Sequence, residues 1–426
     1  METRFSDAQL KDPLIAEANP IIQTCQRFGF CTGPCPTYAL THDENESERG
    51  RIALIKEMME SGGPPSAKTV MHIDNCLSCM ACTTTCAAHV DFVHLMDAGR
   101  AYIEQYYRRP LADRLFRSML GYVLPRPRVF RLAVQAGRLA ARVPALVPKS
   151  MRPMLGLLPG PVGADATAGF ERLERYPAQG ERRWRVAVLA GCVQSEMAPQ
   201  IHAATVRLLT RLGCEVVVPA SVGCCGSLNL HMGRHDSALA FARANVAGWA
   251  RELDGDGLDA IIVNASGCGT TVKDYGHLLR DDTQAAANAA RIASLTKDIT
   301  EWLDEIGMPA PGSPKRFRVA YHDACSMRNA QKVIELDQAT RIEVELAAHL
   351  PADPQQAAAL VRQRLHDGGE ALQRRIGHAY QGIADAWGLG IAKIPAVVVD
   401  RRYVVYGEPD VSRAVARINA YRSTQP

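Results

Sequence analysis

Cysteines crowd into one short region, because seven of the thirteen lie between residues 25 and 86. The second half of this region has four cysteines separated by two, two and three residues, namely Cys76, Cys79, Cys82 and Cys86. In proteins that carry two iron–sulfur clusters, the first three thiolates of such a run bind one cluster and the fourth binds its neighbour. Thiolate is a soft ligand that suits these clusters. The spacing therefore predicts one-electron chemistry at paired clusters.

An earlier cysteine run has the same frame with one ligand missing. Cys25, Cys31 and Cys35 occupy its first, third and fourth positions, but Phe28 stands at the second. Exchange of the fourth ligands between the two runs leaves one complete set and one incomplete set. The complete, four-thiolate set predicts a 4Fe–4S cluster and consists of Cys35, Cys76, Cys79 and Cys82.

The incomplete set has three thiolates and consists of Cys25, Cys31 and Cys86. A phenyl ring cannot ligate iron, so the simplest product is a 3Fe–4S cluster. A labile 4Fe–4S cluster with a non-protein fourth ligand and an empty site are the alternatives. Zinc fits less well, because zinc knuckles use four ligands in two separated pairs and not seven interleaved cysteines.

Four later cysteines follow predicted strands of an α/β region. Strands are expected at 185–191, 215–219 and 258–264, with helices near 197–212 and 236–252 between them. Ligands in open α/β sheets bind at the carboxyl ends of strands. The cysteines at those ends are therefore expected to converge on a metal or cofactor, either iron–sulfur or zinc; they are Cys192, Cys224, Cys225 and Cys268. Cys214 opens a strand and is expected to be a buried structural thiol.

An internal repeat suggests a second unit of this kind. Residues 318–325 match residues 185–192 in frame, so Cys325 corresponds to Cys192 and is a fifth candidate metal ligand. A complete second unit would supply another pair of adjacent cysteines. No cysteine follows Cys325. The second unit is thus expected to be truncated or rewritten after about residue 331.

A basic segment connects the two cysteine-containing regions. Between residues 114 and 164 there are nine Lys or Arg and no Asp or Glu, interleaved with apolar residues and broken by prolines. Three interpretations stay open: a solvated helical face packed on the first module, a face that docks a partner, and a face that lies on a membrane.

Composition excludes several classes of protein. A net charge of +4 is too small to argue for nucleic-acid binding. The first residues lack the apolar core of a signal peptide, and no apolar stretch is long enough for a transmembrane helix. We expect a cytoplasmic protein, either free or peripheral on the inner face of the cell membrane. An odd cysteine count without an export signal favours metal or redox use over disulfides.

Several motifs together resemble one known family over about residues 8–331. They are the stretches 25–38, 48–52, 76–86, 189–194, 223–226, 264–269, 273–277 and 321–325. In order and wording they resemble the iron–sulfur subunit of glycolate oxidase, also called glycolate dehydrogenase. The resemblance implies a partner flavin subunit that oxidises glycolate to glyoxylate, with electrons passing through this chain to a quinone or another acceptor.

Two other functions remain as alternatives. A related electron-transfer subunit would serve lactate, glycerol phosphate or a disulfide, since the cysteine-rich unit is shared among such systems. A non-catalytic fusion protein is the alternative from another class, because the second cysteine-rich unit is incomplete. The sequence has no evident flavin or nucleotide fingerprint, so substrate oxidation is expected on another subunit.

The tail from about residue 332 looks unrelated to the rest. It resembles the C-terminal part of proteins encoded in integrating conjugative elements, and Ile394-Pro395 before a predicted hairpin is similar to the proline region of thioredoxin-like folds. A helix is expected within 353–387 and another at 409–421. The tail has no cysteine, which excludes thiol–disulfide chemistry there. A recombined chain and an authentic fusion both fit.

The predicted fold class is a multidomain combination of α+β and α/β parts. Its predicted divisions are a helical two-cluster ferredoxin-like module at 1–110, a basic helical connector at 111–180, the first unit of an α/β cysteine-rich (Cys-Cys-Gly) domain at 181–312, the start of a truncated second unit at 313–331, and a partly thioredoxin-like tail at 332–426.

Overall fold

The computed structural model describes two stretches almost without gaps and several shorter ones. The described residues are 1–143, 147, 152–156, 158, 174–308, 324–330, 346, 348, 354–369, 372–373, 376–377, 396–399 and 403–406. The chain divides into two compact units, Met1–Gln331 and Lys332–Pro426.

The first 106 residues form a helical module. Its helices are α1 (Pro13–Thr24), α2 (Pro36–Thr41), α3 (Glu48–Ser61), α4 (Ala67–Asp74), α5 (Ala81–Thr85) and α6 (Phe92–Tyr106). Apolar side chains from α1, α3, α4 and α6 form one core, in which Ile22, Ile55, Ile73 and Leu95 are fully buried. Burial of such side chains stabilises the module by about 2 kcal/mol each.

Local signals fix the ends of the central helix α3. The Ser47 side chain accepts a hydrogen bond from the Gly50 amide at its start, and Gly62 ends it in the left-handed conformation. A Cβ on Gly50 would lie 1.9 Å from the Glu44 carbonyl oxygen. Only glycine at this position therefore allows the preceding turn to pack against α3, the helix that begins with Glu48.

Two further helices follow, α7 (Leu111–Val123) and α8 (Pro127–Ala140), and a short turn of helix, α9, spans Arg152–Leu155. Pro125 and Pro127 separate α7 from α8, as the sequence predicts. Phe130 and Val134 are the buried residues of α8, whereas Gly121 is the buried residue of α7.

Residues 174–308 form an α/β domain around one five-stranded sheet of order β1-β3-β2-β4-β5. The strands are β1 (Arg175–Tyr176), β2 (Trp184–Val188), β3 (Cys214–Val217), β4 (Ala260–Val263) and β5 (Thr296–Asp298). β1 is antiparallel to β3, and the other neighbours are parallel. Both faces are covered, so the central strands are mostly apolar, as in other buried parallel sheets, and the buried charges Arg185 of β2 and Glu215 of β3 pair with each other at 2.9 Å.

The helices of this domain are α10 (Gln194–Met197), α11 (Pro199–Arg211), α12 (Ser227–His231), α13 (His235–Asp254), α14 (Ser266–Lys273), α15 (Tyr275–Leu278), α16 (Ala286–Leu295) and α17 (Ile299–Glu305). Trp249 packs in the core on one side of the sheet and Trp302 in the core on the other. The alternation of strands and helices follows the sequence prediction, although β2 ends at Val188, three residues earlier than expected. Gly191 has a left-handed backbone there (φ 65°), which suits a turn and not a strand.

In the second unit, a helix α18 spans Pro354–Asp367, and strands β6 (Ala396–Val399) and β7 (Tyr403–Tyr406) pair as an antiparallel hairpin. Both lie where the sequence predicts a helix and a hairpin. The helix expected at 409–421 and the repeated strand expected at 318–323 lie outside the described residues. None of the helices that the structure describes is long and apolar enough to cross a membrane.

Candidate iron–sulfur sites

The two cysteine runs of the helical module have the same backbone conformation. Arg27 and Ser78, two residues after the first cysteine of each run, both have positive φ, at 59° and 50°. Gly29 and Met80, two positions further, also have positive φ, at 85° and 59°. Non-glycine residues rarely adopt this conformation and cluster at functional sites when they do. The loop around Phe28 is thus built like the loop that carries a full set of thiols.

A cavity lies within the four-thiol site, which we define as Cys35, Cys76, Cys79 and Cys82. Met80, Phe92 and Met96 contribute apolar lining. The Ala81 amide donates to the Cys79 thiol, while burial and nearby thiols raise the pKa of Cys79. Burial and the adjacent Glu48 also raise the pKa of Cys82. Metal coordination is what would favour the thiolate forms in such a setting.

A smaller cavity lies within the three-thiol site, which we define as Cys25, Cys31 and Cys86. Burial and the neighbouring Glu48 raise the pKa of Cys31 to about 12. Phe28 lines the same cavity but is 60% exposed, as Phe30 is at 62%. The position of the missing ligand therefore opens towards solvent.

Glu48 lies between the two sites and lines both cavities. It is 2% exposed, and neither carboxylate oxygen bonds to a nitrogen or oxygen atom among the described residues. The carboxyl faces the thiols of Cys82 and Cys31, one from each site, and burial raises its pKa to about 7. Sequence reasoning quoted Glu48 only as part of a motif, and no local pattern marks it as a shared neighbour of both sites.

A buried ion-pair network holds the loop after Cys35. Glu46 bonds to Arg51 at 2.6 Å, to His72 at 2.7 Å and to Asn75 at 2.9 Å. The Glu46 carbonyl in turn accepts from Thr37 at 2.7 Å and from the Cys35 thiol at 3.4 Å. Buried hydrogen-bond networks of this kind fix the orientation of the ligands that they support.

In the α/β domain, the parallel strands deliver four cysteines to one edge of the sheet. Cys192 follows β2, Cys224 and Cys225 follow β3, and Cys268 lies in the first turn of α14 after β4. Their thiols form a chain of contacts from Cys192 to Cys224, Cys225 and Cys268. We call these four residues the thiol chain.

Hydrogen bonds within the thiol chain lower the pKa of two of its thiols. Bonds from Cys192 and Cys225 lower the pKa of Cys224 to about 3, helped by the Gly226 amide, which donates to Cys224 Sγ at 3.4 Å. A bond from Cys225 likewise lowers the pKa of Cys268. Four cysteine side chains in a row form a donor set suited to a soft metal centre.

A buried pair behind the thiol chain fixes the Cys224-Cys225 backbone. Asn245 donates to the Cys224 carbonyl at 2.9 Å and to the Tyr275 hydroxyl at 3.0 Å, and it accepts from the Gly223 amide at 2.8 Å. Tyr275 donates to the Cys225 carbonyl at 2.9 Å. Asn245 and Tyr275 are 1% and 0% exposed. Sequence reasoning missed Asn245, because an asparagine in the middle of a long helix carries no signal of its own.

Cys325 is exposed. It is close enough to Cys79 to raise the pKa of that thiol, and Asn329 from the same short helical segment donates to the Cys79 carbonyl at 2.9 Å. The structure therefore places this candidate ligand at the four-thiol site. Cys214 is fully buried beside Trp302, where the sequence predicts a structural thiol.

Helix α12 joins the thiol chain to the four-thiol site. It begins directly after Cys225-Gly226 and ends at His231, which lines the four-thiol cavity and bonds to Asp97 at 3.2 Å. A Cβ on Gly233 would lie 2.2 Å from the Arg100 carbonyl oxygen, so the two backbones are in close contact. Arg100 donates to the Cys76 carbonyl at 3.0 Å.

Histidines and carboxylates form a second seam between the helical module and the α/β domain. His94 bonds to Asp91 at 2.5 Å and to both oxygens of Asp274 at 3.1 Å. Its ring stacks on His277 with centroids 3.6 Å apart, and His277 bonds to Glu17 at 2.9 Å. The two carboxylates raise the pKa of His94 to about 10 against the opposing effect of burial.

Within the described part of the chain, no three His, Cys, Asp or Glu side chains converge as ligands of a single metal ion. The thiolates of an iron–sulfur cluster bind separate irons and surround a volume. Two thiol-lined cavities of one loop type, next to a buried thiol chain, define the class of iron–sulfur electron carriers.

Comparisons with known proteins agree with this class. A 4Fe-4S dicluster domain matches residues 21–90, a cysteine-rich domain matches residues 186–273, and a protein of unknown function (DUF1525) matches residues 317–424. The last match overlaps the segment 313–331 that the sequence assigns to a second cysteine-rich unit. No solved structure matches the chain.

Curated relatives cover most of the chain. The glycolate oxidase iron-sulfur subunit of Escherichia coli is 37% identical over 333 residues, 78% of each chain. The probable glycolate oxidase iron-sulfur subunit of Bacillus subtilis is 32% identical over 72% of this chain and 71% of its own. The lactate utilization protein A of an Exiguobacterium strain is 32% identical over 33% of this chain. The chain belongs to the family of glycolate oxidase iron–sulfur subunits, which confirms the resemblance drawn from its motifs.

Proposed function

We propose that this chain is the electron-transfer subunit of a flavin-dependent glycolate dehydrogenase. One observation carries the proposal: the similarity to the Escherichia coli subunit extends over 333 residues and 78% of each chain, far more than either matched domain alone. Oxidation of glycolate to glyoxylate releases two electrons and two protons, and we assign that step to the flavin of a partner subunit. Iron–sulfur clusters accept and release electrons singly when bound.

We assign a 4Fe–4S cluster to the four-thiol site and a 3Fe–4S or labile 4Fe–4S cluster to the three-thiol site. The matched dicluster domain and the shared loop conformation support two clusters. The open position at Phe28 supports the incomplete coordination of the second. The thiol chain is assigned a further iron–sulfur or zinc centre, supported by the row of contacts among its four cysteines and by the matched cysteine-rich domain.

The residues around each site have distinct tasks in this proposal. Met80, Phe92 and Met96 exclude water from the four-thiol site, which limits the solvent exposure that shifts a cluster's reduction potential. The Gly226 amide and the Asn245–Tyr275 pair hold the Cys224-Cys225 backbone in place. Helix α12 keeps the thiol chain at a fixed separation from the four-thiol site, so electrons can pass between them.

The identity of the electron acceptor, the location in the cell and the domain division belong to the same proposal. We assign the acceptor as a quinone or another electron carrier, and the location as the cytoplasm, either free or peripheral on the inner face of the cell membrane. The division into a ferredoxin-like module, a basic connector, a first cysteine-rich unit, the start of a truncated second unit and a partly thioredoxin-like tail is also ours, and the boundary at Gln331 between the compact units supports the start of the tail.

Reduction by substrate tests the proposal directly. The full chain is purified anaerobically, mixed with its flavin subunit, and monitored by electron paramagnetic resonance as glycolate is added. We expect the cluster signals of the reduced protein to appear with glycolate and not with lactate or glycerol phosphate. Clusters that stay oxidised with glycolate but are reduced by dithionite would contradict the proposal. Reduction by lactate and not by glycolate would show that the protein serves a lactate-oxidising enzyme instead.

A non-catalytic fusion is the second candidate function. The match of residues 317–424 to a family of unknown function favours it, because this stretch lies where a second Cys-Cys-Gly motif would be expected. Complementation distinguishes the two. If the full chain restores growth on glycolate in a strain that lacks its iron–sulfur subunit, the fusion candidate is wrong.

A further inference from the structure

Helix α7 presents its apolar side chains to solvent. Leu111 and Leu115 are each 61% exposed, Met119 is 41% and Tyr122 is 56%. These residues follow one another at intervals of four, four and three, so they form one stripe along the helix. Phe116, 46% exposed, widens the stripe. We call these five residues the apolar stripe.

The opposite face of α7, and not the apolar one, packs on the protein. Arg117 donates to the Met232 carbonyl at 3.1 Å, and Ser118 accepts from Arg234 at 2.8 Å. A Cβ on Gly121 would meet the Asn229 side chain at 2.9 Å. Helices on globular proteins normally turn their apolar face to the core. Here five large apolar side chains face solvent instead, so packing does not explain the stripe.

Positive charge surrounds the apolar stripe. Arg114, Arg126 and Arg128 are exposed near it, and the guanidinium of Arg126 lies 4.1 Å from the centre of the Tyr122 ring. No acidic residue occurs between 114 and 164. On the next helix, Leu132 and Leu139 are likewise exposed, at 66% and 63%. The surface thus combines exposed apolar side chains with positively charged ones.

We propose that the apolar stripe of α7, with the arginines beside it, binds the surface of an anionic lipid bilayer. Apolar side chains of such a helix enter the boundary between headgroups and acyl chains, while arginines pair with lipid phosphates. The segment 114–164 carries nine Lys or Arg and no Asp or Glu, a charge distribution that matches the phosphates of an anionic bilayer. Charge complementarity therefore selects the bilayer. This inference is independent of which substrate reduces the clusters.

Vesicle co-sedimentation with the intact protein tests the inference. The vesicles are phosphatidylcholine alone or phosphatidylcholine with one third phosphatidylglycerol. We expect binding at least tenfold tighter to the anionic vesicles, weakening as salt rises. The variant L115E/M119E should lose at least tenfold of that binding. The control variant L40E/M71E, which places the same charges on exposed residues of α2 and α4, should bind as the wild type does.

Three results would overturn the inference. The first is no preference for anionic vesicles, and the second is equal loss in both double variants. In the third, L115E/M119E abolishes self-association or capture by the purified flavin subunit while vesicle binding is unchanged; the stripe would then belong to a second copy or to that subunit. The cluster spectrum of L115E/M119E reports that the variant is folded, and glycolate-dependent reduction is measured separately.

Discussion

The two cysteine loops of the helical module differ in a single ligand on an otherwise shared backbone. Cys79 and Phe28 occupy equivalent positions, flanked by the same positive φ angles on either side. Helix packing and the turns around each loop therefore set the backbone, while the side chain at one position decides how many thiolates are available. The loop keeps its strained conformation although the ligand that would use it is absent, so strain alone does not identify a ligand.

The largest expected effect comes from making the complete loop resemble the incomplete one. In Cys79→Ala, the four-thiol site retains three thiols, and we expect a loss of about one iron per chain and a new three-iron signal. Electron flow from glycolate to an added acceptor should fall at least tenfold, because the site lies between the three-thiol site and the thiol chain. Iron analysis with electron paramagnetic resonance measures the first effect. Unchanged iron content would show that Cys79 is not a ligand.

The reverse substitution completes the other loop. Phe28→Cys should add about one iron per chain and remove the oxidised three-iron signal, because it restores the missing thiolate. Phe30→Cys is the matched control, since Phe30 lies in the same loop, is equally exposed and has its ring centre 6.3 Å from that of Phe28. Equal changes in both variants would mean that any added thiol suffices and that the position has no special geometry.

A third substitution asks whether the thiol chain is independent of both loops. Tyr275→Phe removes the hydrogen bond to the Cys225 carbonyl and leaves Asn245 with one partner fewer. We expect a loss of about 1 kcal/mol in the free energy of unfolding and weaker metal retention at the thiol chain. Spectra of the two loop sites should stay as in the wild type. Loss of iron from the loops as well would contradict their separation.

A further effect concerns pH and the seam between the helical module and the α/β domain. Because Asp274 and Asp91 raise the pKa of His94 from 6.5 to about 10, its protonated form is favoured in the folded state. The stabilisation is complete below pH 6.5 and is lost as the pH rises through about 10. His277, Glu17 and Arg280 also face this cluster.

His94→Gln should therefore cost about 2 kcal/mol at pH 6.5 and much less at pH 10. Urea denaturation of both proteins, followed by tryptophan fluorescence at the two pH values, measures the difference. Lys56→Gln, which breaks an i,i+4 surface pair on α3, is the control and should cost a few tenths of a kcal/mol at both. An equal cost for His94→Gln at the two pH values would mean that the ring acts through packing and not through charge.

The spacing of the cysteines and the positions of three strands along the chain were readable from the sequence, because both rest on short local patterns. The cysteine intervals define the two loops, and the apolar runs of β2, β3 and β4 place four further cysteines at one sheet edge. Glu48, Asn245 and His231 were not readable, since each acts through neighbours distant in the sequence. Cys325 illustrates the same limit: a repeat relates it to Cys192, yet its neighbour in space is Cys79.

The close contact of Gly233 with the Arg100 backbone has a mechanical consequence. Many electron carriers move a tethered domain between donor and acceptor, which requires a joint that opens. Here a bulky residue would not fit at the joint, and α12 ties the thiol chain to the wall of the four-thiol cavity. The helical module and the cysteine-rich domain should thus keep a fixed relative position during electron transfer. Any partner must therefore bind close to one of the clusters, because neither region moves to meet it.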